Sequence, residues 1–312
     1  MLGGYKKLKV LENLEVSLAG GGVPVTAIAI CYQNAHTQAL AQKLDALLPQ
    51  KHFLVDATQT APTDAKLQTA SHAIEFYNPY GEHYDKCRLV RAAMFARGCR
   101  IVDLYDWQEN YFEDAFWGPF DYRTCTADLE KVKQELLKVK EFHITSPQGT
   151  DIKFSTYGKD WIVANGLTRS DELSQMPDGE IYTCPIEETF TGTLVVDGTV
   201  TRSWVPVPAE KVMFREGRIV GGTPKILDYI GKLGPDAQMI GEFALGFNPA
   251  YNKTLHHNMS VDEKGLGTVH FAVGDSYNLG KNHCQAHCDM LIRHPVIHTE
   301  PAIKLPAGFT VK

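Results

Sequence analysis

The stretch Thr126–Val139, TADLEKVKQELLKV, divides the chain into two halves of different texture. It opens on a threonine suited to capping. Leu129, Val132, Leu136 and Val139 follow at helical spacing, and Lys131 and Glu135 stand four apart, so an amphipathic helix is expected here. Upstream, apolar runs alternate with helical patterns. Val23–Tyr32 (VPVTAIAICY) reads as a buried strand, His36–Leu48 as a helix stopped by Pro49, and His52–Val55 and His72–Tyr77 as strands. Tyr84–Gly98 reads as a helix closed by glycine, and Arg100–Leu104 as another strand. Such alternation implies a parallel sheet covered by helices. Downstream, turn signals recur at Pro147-Gln-Gly149, Pro177-Asp-Gly179, Asp197-Gly198 and Glu216-Gly217, with one helix around Lys225–Leu233. The expected fold is an α/β N-terminal domain over residues 1–140. An α+β domain with a mixed, mainly antiparallel sheet follows over residues 141–312.

Composition narrows the function. With 44% hydrophobic and 22% charged residues, the chain fits a globular protein and not a disordered one. Acidic residues outnumber basic ones, 37 to 31, which leaves no electrostatic footprint for nucleic acid. No apolar run approaches the ~20 residues that span a bilayer. The opening Met1–Lys7 has no signal-peptide core, and the seven cysteines are odd in number and without a CxxC pair. A cytoplasmic protein with reduced thiols is expected.

Metal-capable residues gather in the second half. His270 lies in an alternating strand pattern, Tyr277 follows seven residues later, and His287-Cys-Asp289 places an imidazole and a carboxylate on one face of a strand. Glu180 heads an apolar strand after a turn, and Glu242 has apolar residues on both sides. Buried carboxylates need a partner, either an arginine or lysine or a cation. An isolated H-x-D pair is more often a salt-bridged surface pair.

These residues sit in strings that resemble the M29 metallopeptidases, the aminopeptidase T and aminopeptidase S type of leucyl aminopeptidase. The strings are Ile144–Ser155 (ITSPQGTDIKFS), Pro177–Gly198 (PDGEIYTCPIEETFTGTLVVDG), Ile240–Pro249 (IGEFALGFNP), Gly267–Tyr277 (GTVHFAVGDSY) and Ala286–Asp289 (AHCD). They keep the family's order, and the resemblance covers roughly residues 90–300. It implies that Glu180, Glu242, His270, Tyr277, His287 and Asp289 line a site for two divalent ions (Zn, Co, Mn or Mg) in a homodimer. On that basis the expected activity is aminopeptidase hydrolysis of small peptides or amides through a metal-bridged hydroxide. Glu187 and Glu188 are candidates for carrying the proton, and Tyr277 for a ligand or an oxyanion donor. The short Tyr277–His287 segment departs from longer members, and His283 and Cys284 within it are unexpected neighbours. Cys184, Cys284 and Cys288 would favour zinc only by entering the site.

Three rival readings follow. His270, His287 and Asp289 would also suit one Fe(II) in a ring-cleaving dioxygenase of the 2,5-dihydroxypyridine type, although Glu180 and Glu242 are superfluous there. A specialised amide hydrolase for one peptide or metabolite would use the same site. A non-catalytic scaffold would be expected to have lost a ligand.

Overall fold

Ile28–Tyr32 is apolar up to its last residue and buried from Ile28 to Cys31, as a central strand must be. In the computed structural model, which describes residues 8–20, 22–78, 81–169, 173–202, 204–250 and 255–312, this strand has parallel neighbours on both sides. The sheet runs His52–Asp56, Ile28–Tyr32, His72–Phe76, Arg100–Asp103, Ser174–Gln175. Helices Lys9–Ala19, Ala35–Asp45 and Tyr84–Phe95 accompany it. The second starts at a reciprocal cap, where the Asn34 side chain accepts from the Thr37 amide at 3.0 Å and Thr37 Oγ1 accepts from the Asn34 amide at 2.9 Å. The expected α/β architecture is present. The Lys9–Ala19 helix has no counterpart in the sequence reading, although Val10, Leu14 and Leu18 mark its buried stripe. Among the described residues, no helix is long and apolar enough to cross a membrane.

Contacts divide the chain into two units. One unit is the chain up to Thr124 with Ala164–Asp178, and the other is Cys125–Val163 with Gly179–Lys312. The division falls within the first turn of the dividing helix, and Leu129, Val132 and Leu136 belong to the second unit's core. That helix spans Tyr122–Leu136, so Thr126 lies inside it. The Asp121 side chain takes the capping place, accepting from the Arg123 amide at 2.9 Å.

The second unit is α+β and holds two sheets. The larger has seven strands in the order Arg218–Gly222, Glu210–Arg215, Thr191–Val196, Asp151–Ser155, Glu141–Thr145, Val296–Glu300, Thr310–Val311. It is mixed, since the last pair is parallel and its other pairs are antiparallel. The smaller sheet runs His287–Ile292, Val269–Gly274, Ile240–Gly246, Glu180–Thr183, Ile162–Ala164. A shared aromatic core joins them. Phe243 of the smaller sheet stacks on Phe271 at 5.1 Å and meets Phe142 at 5.1 Å and Phe154 at 4.8 Å from the larger one. Alternation along the smaller sheet therefore turns Phe243, Leu245, Phe271 and Val273 inward and leaves the opposite face for other residues.

Replacing Phe243 by alanine removes the ring at the centre of this core. A stability loss of about 3–5 kcal/mol is expected, against less than about 0.5 kcal/mol for Met213→Ala on the exposed face of the larger sheet. Chemical denaturation of both variants checks this, and equal losses would contradict it.

Candidate metal centre

The outer face of the smaller sheet carries the sequence-predicted residues. Antiparallel partners share a face, and the register pairs Glu180 with Gly246, Ala244 with His270, Glu242 with Ala272, Ala272 with Asp289, and Gly274 with His287. Glu180, Glu242, His270, His287 and Asp289 thus converge on a floor of alanine and glycine. One irregularity makes this possible. Ile240 and Glu242 oppose the adjacent residues Val273 and Ala272, so Gly241 is an extra residue in the strand. The bulge lets Ile240 face the core while Glu242 faces the site. A Cβ at position 241 would come within 2.7 Å of the carbonyl oxygens of Gly274 and Asp275, so only glycine fits.

Glu242 occupies the middle of the site. Its Oε1 lies 3.0 Å from His270 Nε2 and its Oε2 lies 3.6 Å from His287 Nε2. His287 Nε2 also meets Asp289 Oδ1 at 3.0 Å, and its Nδ1 bonds the Asp275 carbonyl at 2.8 Å, which orients the ring. Thr201 Oγ1 donates to Asp289 Oδ2 at 2.9 Å. Glu180 gives one oxygen to the Lys264 ammonium, and its Oε2 lies 3.8 Å from His270 Nε2. Lys264 also pairs with Glu263 at 2.8 Å.

The charges are tightly linked. Burial opposes protonation of His270, but its hydrogen bond to Glu242 and the charges of Glu180 and Glu263 raise its pKa to about 9. For His287, burial is likewise outweighed by Asp289 and then Glu242, giving about 10. Asp289 is held well below the usual carboxylate range; burial works against this, and the His287 charge and hydrogen bond overcome it. Burial lifts Glu180 to about 7 despite Lys264. Four buried or part-buried carboxylates (Glu180, Glu242, Glu263 and Asp289) thus draw protons onto the imidazoles, an environment that also favours a cation.

The donor atoms fit a divalent metal. One ligand atom each from Glu242, His270 and Asp289 lies within 4.8 Å of the other two. Glu180 Oε2 is buried with no hydrogen-bond partner among the described residues. Oxygen and nitrogen donors of this kind suit zinc, cobalt, manganese or magnesium.

Of the remaining predicted residues, Tyr277 stands beside this centre. Tyr277, at φ +50°, sets its ring 4.5 Å from that of His287 and is about half exposed. Glu187 is buried; its Oε1 accepts the Lys281 amide at 2.5 Å, and its Oε2 has no hydrogen-bond partner among the described residues. Glu188 is exposed and paired with the Lys281 ammonium. His283 is exposed, 4.0 Å from Asp275. The thiols are turned to other partners. Cys288 is in the core, Cys284 donates to the Ala286 carbonyl at 3.2 Å, and Cys184 donates to the Pro185 carbonyl at 3.4 Å, with burial pushing its pKa up to about 12. Lys264, Glu263 and Thr201 are site residues that the sequence reading passes over. Lys264 and Glu263 lie in Ser260–Gly267 (SVDEKGLG), next to Asp262.

The model of the M29 thermophilic metalloprotease family matches residues 120–293. The chain belongs to this family. Among solved structures, 2,5-dihydroxypyridine dioxygenase from Pseudomonas putida KT2440 is similar with a TM-score of 0.69 and 18% identity, over 96% of this chain and 94% of that one. Wild-type AmpT from Thermus thermophilus is similar with a TM-score of 0.64 and 15% identity, over 94% of each chain. No curated protein sequence matches significantly. Membership of a metalloprotease family implies use of a divalent metal, in agreement with the donor set of Glu242, His270 and Asp289. The matched residues contain all five converging side chains.

Metal binding to this M29 chain must displace protons. His270 and His287, raised to about 9 and about 10, are charged at pH 7, and a metal takes only neutral imidazole. Affinity for Mn(II) is therefore expected to rise from pH 6 to pH 9, by about tenfold per unit for each proton released. Calorimetric titration in buffers of different ionisation enthalpy counts those protons. A pH-independent affinity without proton release would contradict charged imidazoles in the metal-free state.

Proposed function

We propose that the protein is a metal-dependent aminopeptidase that removes N-terminal residues from small peptides or amides. The observation that supports this most directly is the Glu242 carboxylate, held between two imidazoles with Asp289 beside them on one sheet face. Glu242, His270 and Asp289 would hold the metal, with His287 adjoining them. A bound divalent ion supplies Lewis acidity, polarising the scissile carbonyl and making a water acidic near neutral pH.

The chain's own groups perform the rest. Glu180 Oε2 is left to accept the substrate's α-ammonium, which restricts cleavage to the first residue. Tyr277 stands over His287 and donates its hydroxyl to the developing oxyanion. Although half of the residue is exposed, desolvation of the hydroxyl, followed by the charges of Asp289 and Glu242, holds its pKa well above the ordinary value, so it remains a donor. Of the two candidate proton carriers, Glu187 is the buried one with an oxygen to spare. Its Oε2 takes the proton from the attacking water and returns it to the leaving amine. We take the enzyme to work as a cytoplasmic homodimer; its seven free cysteines suit a reducing compartment.

A second reading draws on a specific donor set. His270, His287 and Asp289 also supply two imidazoles and a carboxylate, the set that holds Fe(II) in non-haem oxygenases. Oxygen uptake with 2,5-dihydroxypyridine, against amine release from a leucyl amide, separates the two. In the aminopeptidase reading Glu242 serves as a ligand, whereas a three-residue iron site has no use for it.

Glu242→Gln keeps the shape and removes the charge. It is expected to lose bound metal and leucyl-amide hydrolysis together; hydrolysis at the parent rate with equal metal content would overturn the proposal. Tyr277→Phe should keep its metal while kcat falls roughly 100–1000-fold. An N-acetylated leucyl amide should not be cleaved, because it has no α-ammonium for Glu180.

A further inference from the structure

Lys264 is a buried lysine at the centre, and the fold is built to bring it there. It follows the short helix Met259–Asp262, its amide donating to the Val261 carbonyl at 3.2 Å. Its own carbonyl accepts from the Asn248 amide at 2.7 Å, which ties this turn to the end of the Glu242 strand. The approach is close because Gly246 has no side chain. A Cβ there would meet the Gly265 carbonyl oxygen at 2.4 Å and the Glu263 carbonyl oxygen at 2.7 Å. The Lys264 side chain is 4% exposed, and its ammonium bonds both Glu180 and Glu263.

This arrangement divides the ionisable groups into two sets. Glu242, His270 and Asp289 bring their donor atoms within 4.8 Å of one another. Outside that set, Glu180 and Glu263 both contact the Lys264 ammonium. A cation placed between them would share its position with a fixed positive charge and would have to displace it from two buried partners. A buried lysine stripped of both carboxylates is among the least favourable outcomes in a protein interior.

We infer that Lys264 takes the place of a second metal, so that the centre binds one divalent ion per chain, at Glu242, His270 and Asp289, in place of the two that the family resemblance implies. The ammonium balances Glu180 and Glu263 permanently and leaves Glu180 Oε2 directed toward His270. The inference rests on the reading of the site as a divalent-metal centre, but not on the identity of the substrate.

Mn(II) binding to the full chain tests this, by elemental analysis after equilibrium dialysis together with electron paramagnetic resonance. The wild-type chain is expected to hold one Mn(II) with the hyperfine pattern of an isolated ion. Lys264→Met removes the charge and keeps the length. It should admit a second Mn(II) at least about a hundredfold more tightly than the wild type does, with spin coupling between the ions. Two tightly bound, coupled ions in the wild type would overturn the inference, and so would a folded Lys264→Met protein that still binds only one. Should Lys264→Met fail to fold, Lys264→Gln takes its place, and the wild-type count still decides. Failure of a one-ion wild-type protein to hydrolyse leucyl amides would sink the aminopeptidase reading alone, leaving the stoichiometry standing.

Discussion

The Glu242 carboxylate, buried between the imidazoles of His270 and His287, is the contact on which the second unit depends. A carboxylate without partners in such a place would cost several kcal/mol, so the surroundings must supply positive charge at short range. They do so through three strands whose register sets Glu242, His270, His287 and Asp289 on one face. Ala244, Ala272 and Gly274 form the floor between these groups, small enough to leave the polar atoms in reach of one another. The reverse face of the same strands carries Phe243 and Phe271, packed against Phe142 and Phe154 of the larger sheet. One sheet thus separates an aromatic core from an ionic site by a single layer of backbone. The bulge at Gly241 sets the phase between the two faces.

Electrostatics and fold give different kinds of information here. The two solved relatives cover nearly the whole chain at 15–18% identity, which establishes a shared fold and leaves the chemistry to the site. The site is rich in carboxylates, with oxygen donors at least matching the imidazoles in number. Its charge is partly balanced from within by Lys264, which contacts Glu180 and Glu263. Thr201 and the Asp275 carbonyl hold Asp289 and the His287 ring in place. A cation bound among Glu242, His270 and Asp289 would find ligands already oriented by partners that are themselves anchored.

Much of this was legible beforehand. The apolar, β-branched run at Ile28–Cys31 has one comfortable place, the middle of a parallel sheet, and it is found there. Glu242 could be singled out because a lone acid among Met239, Ile240, Phe243, Ala244 and Leu245 needs a counter-charge wherever it is buried. Less legible was the helix Lys9–Ala19, whose buried stripe is interrupted by Asn13 and Ser17; both polar groups bond to distant backbone, Ser17 to Gly166 and Asn13 to Phe120. The start of the Tyr122–Leu136 helix was displaced for a similar reason: Asp121 caps it, while Thr126 merely resembles a cap.

Local order was determined by the sequence itself. Period-two and period-3.6 patterns state which side of an element is apolar, and a charged residue on an otherwise apolar strand states that a partner must exist. The identity of that partner was decided by the tertiary structure. Lys264 lies 84 positions from Glu180 along the chain, and only the close approach at Gly246 brings its ammonium into the site. The return of Ser174–Gln175 to the edge of the first sheet is likewise invisible in a two-residue strand. Short-range periodicity reports burial, whereas the pairing of buried charges depends on contacts between segments distant in sequence, which no local pattern encodes.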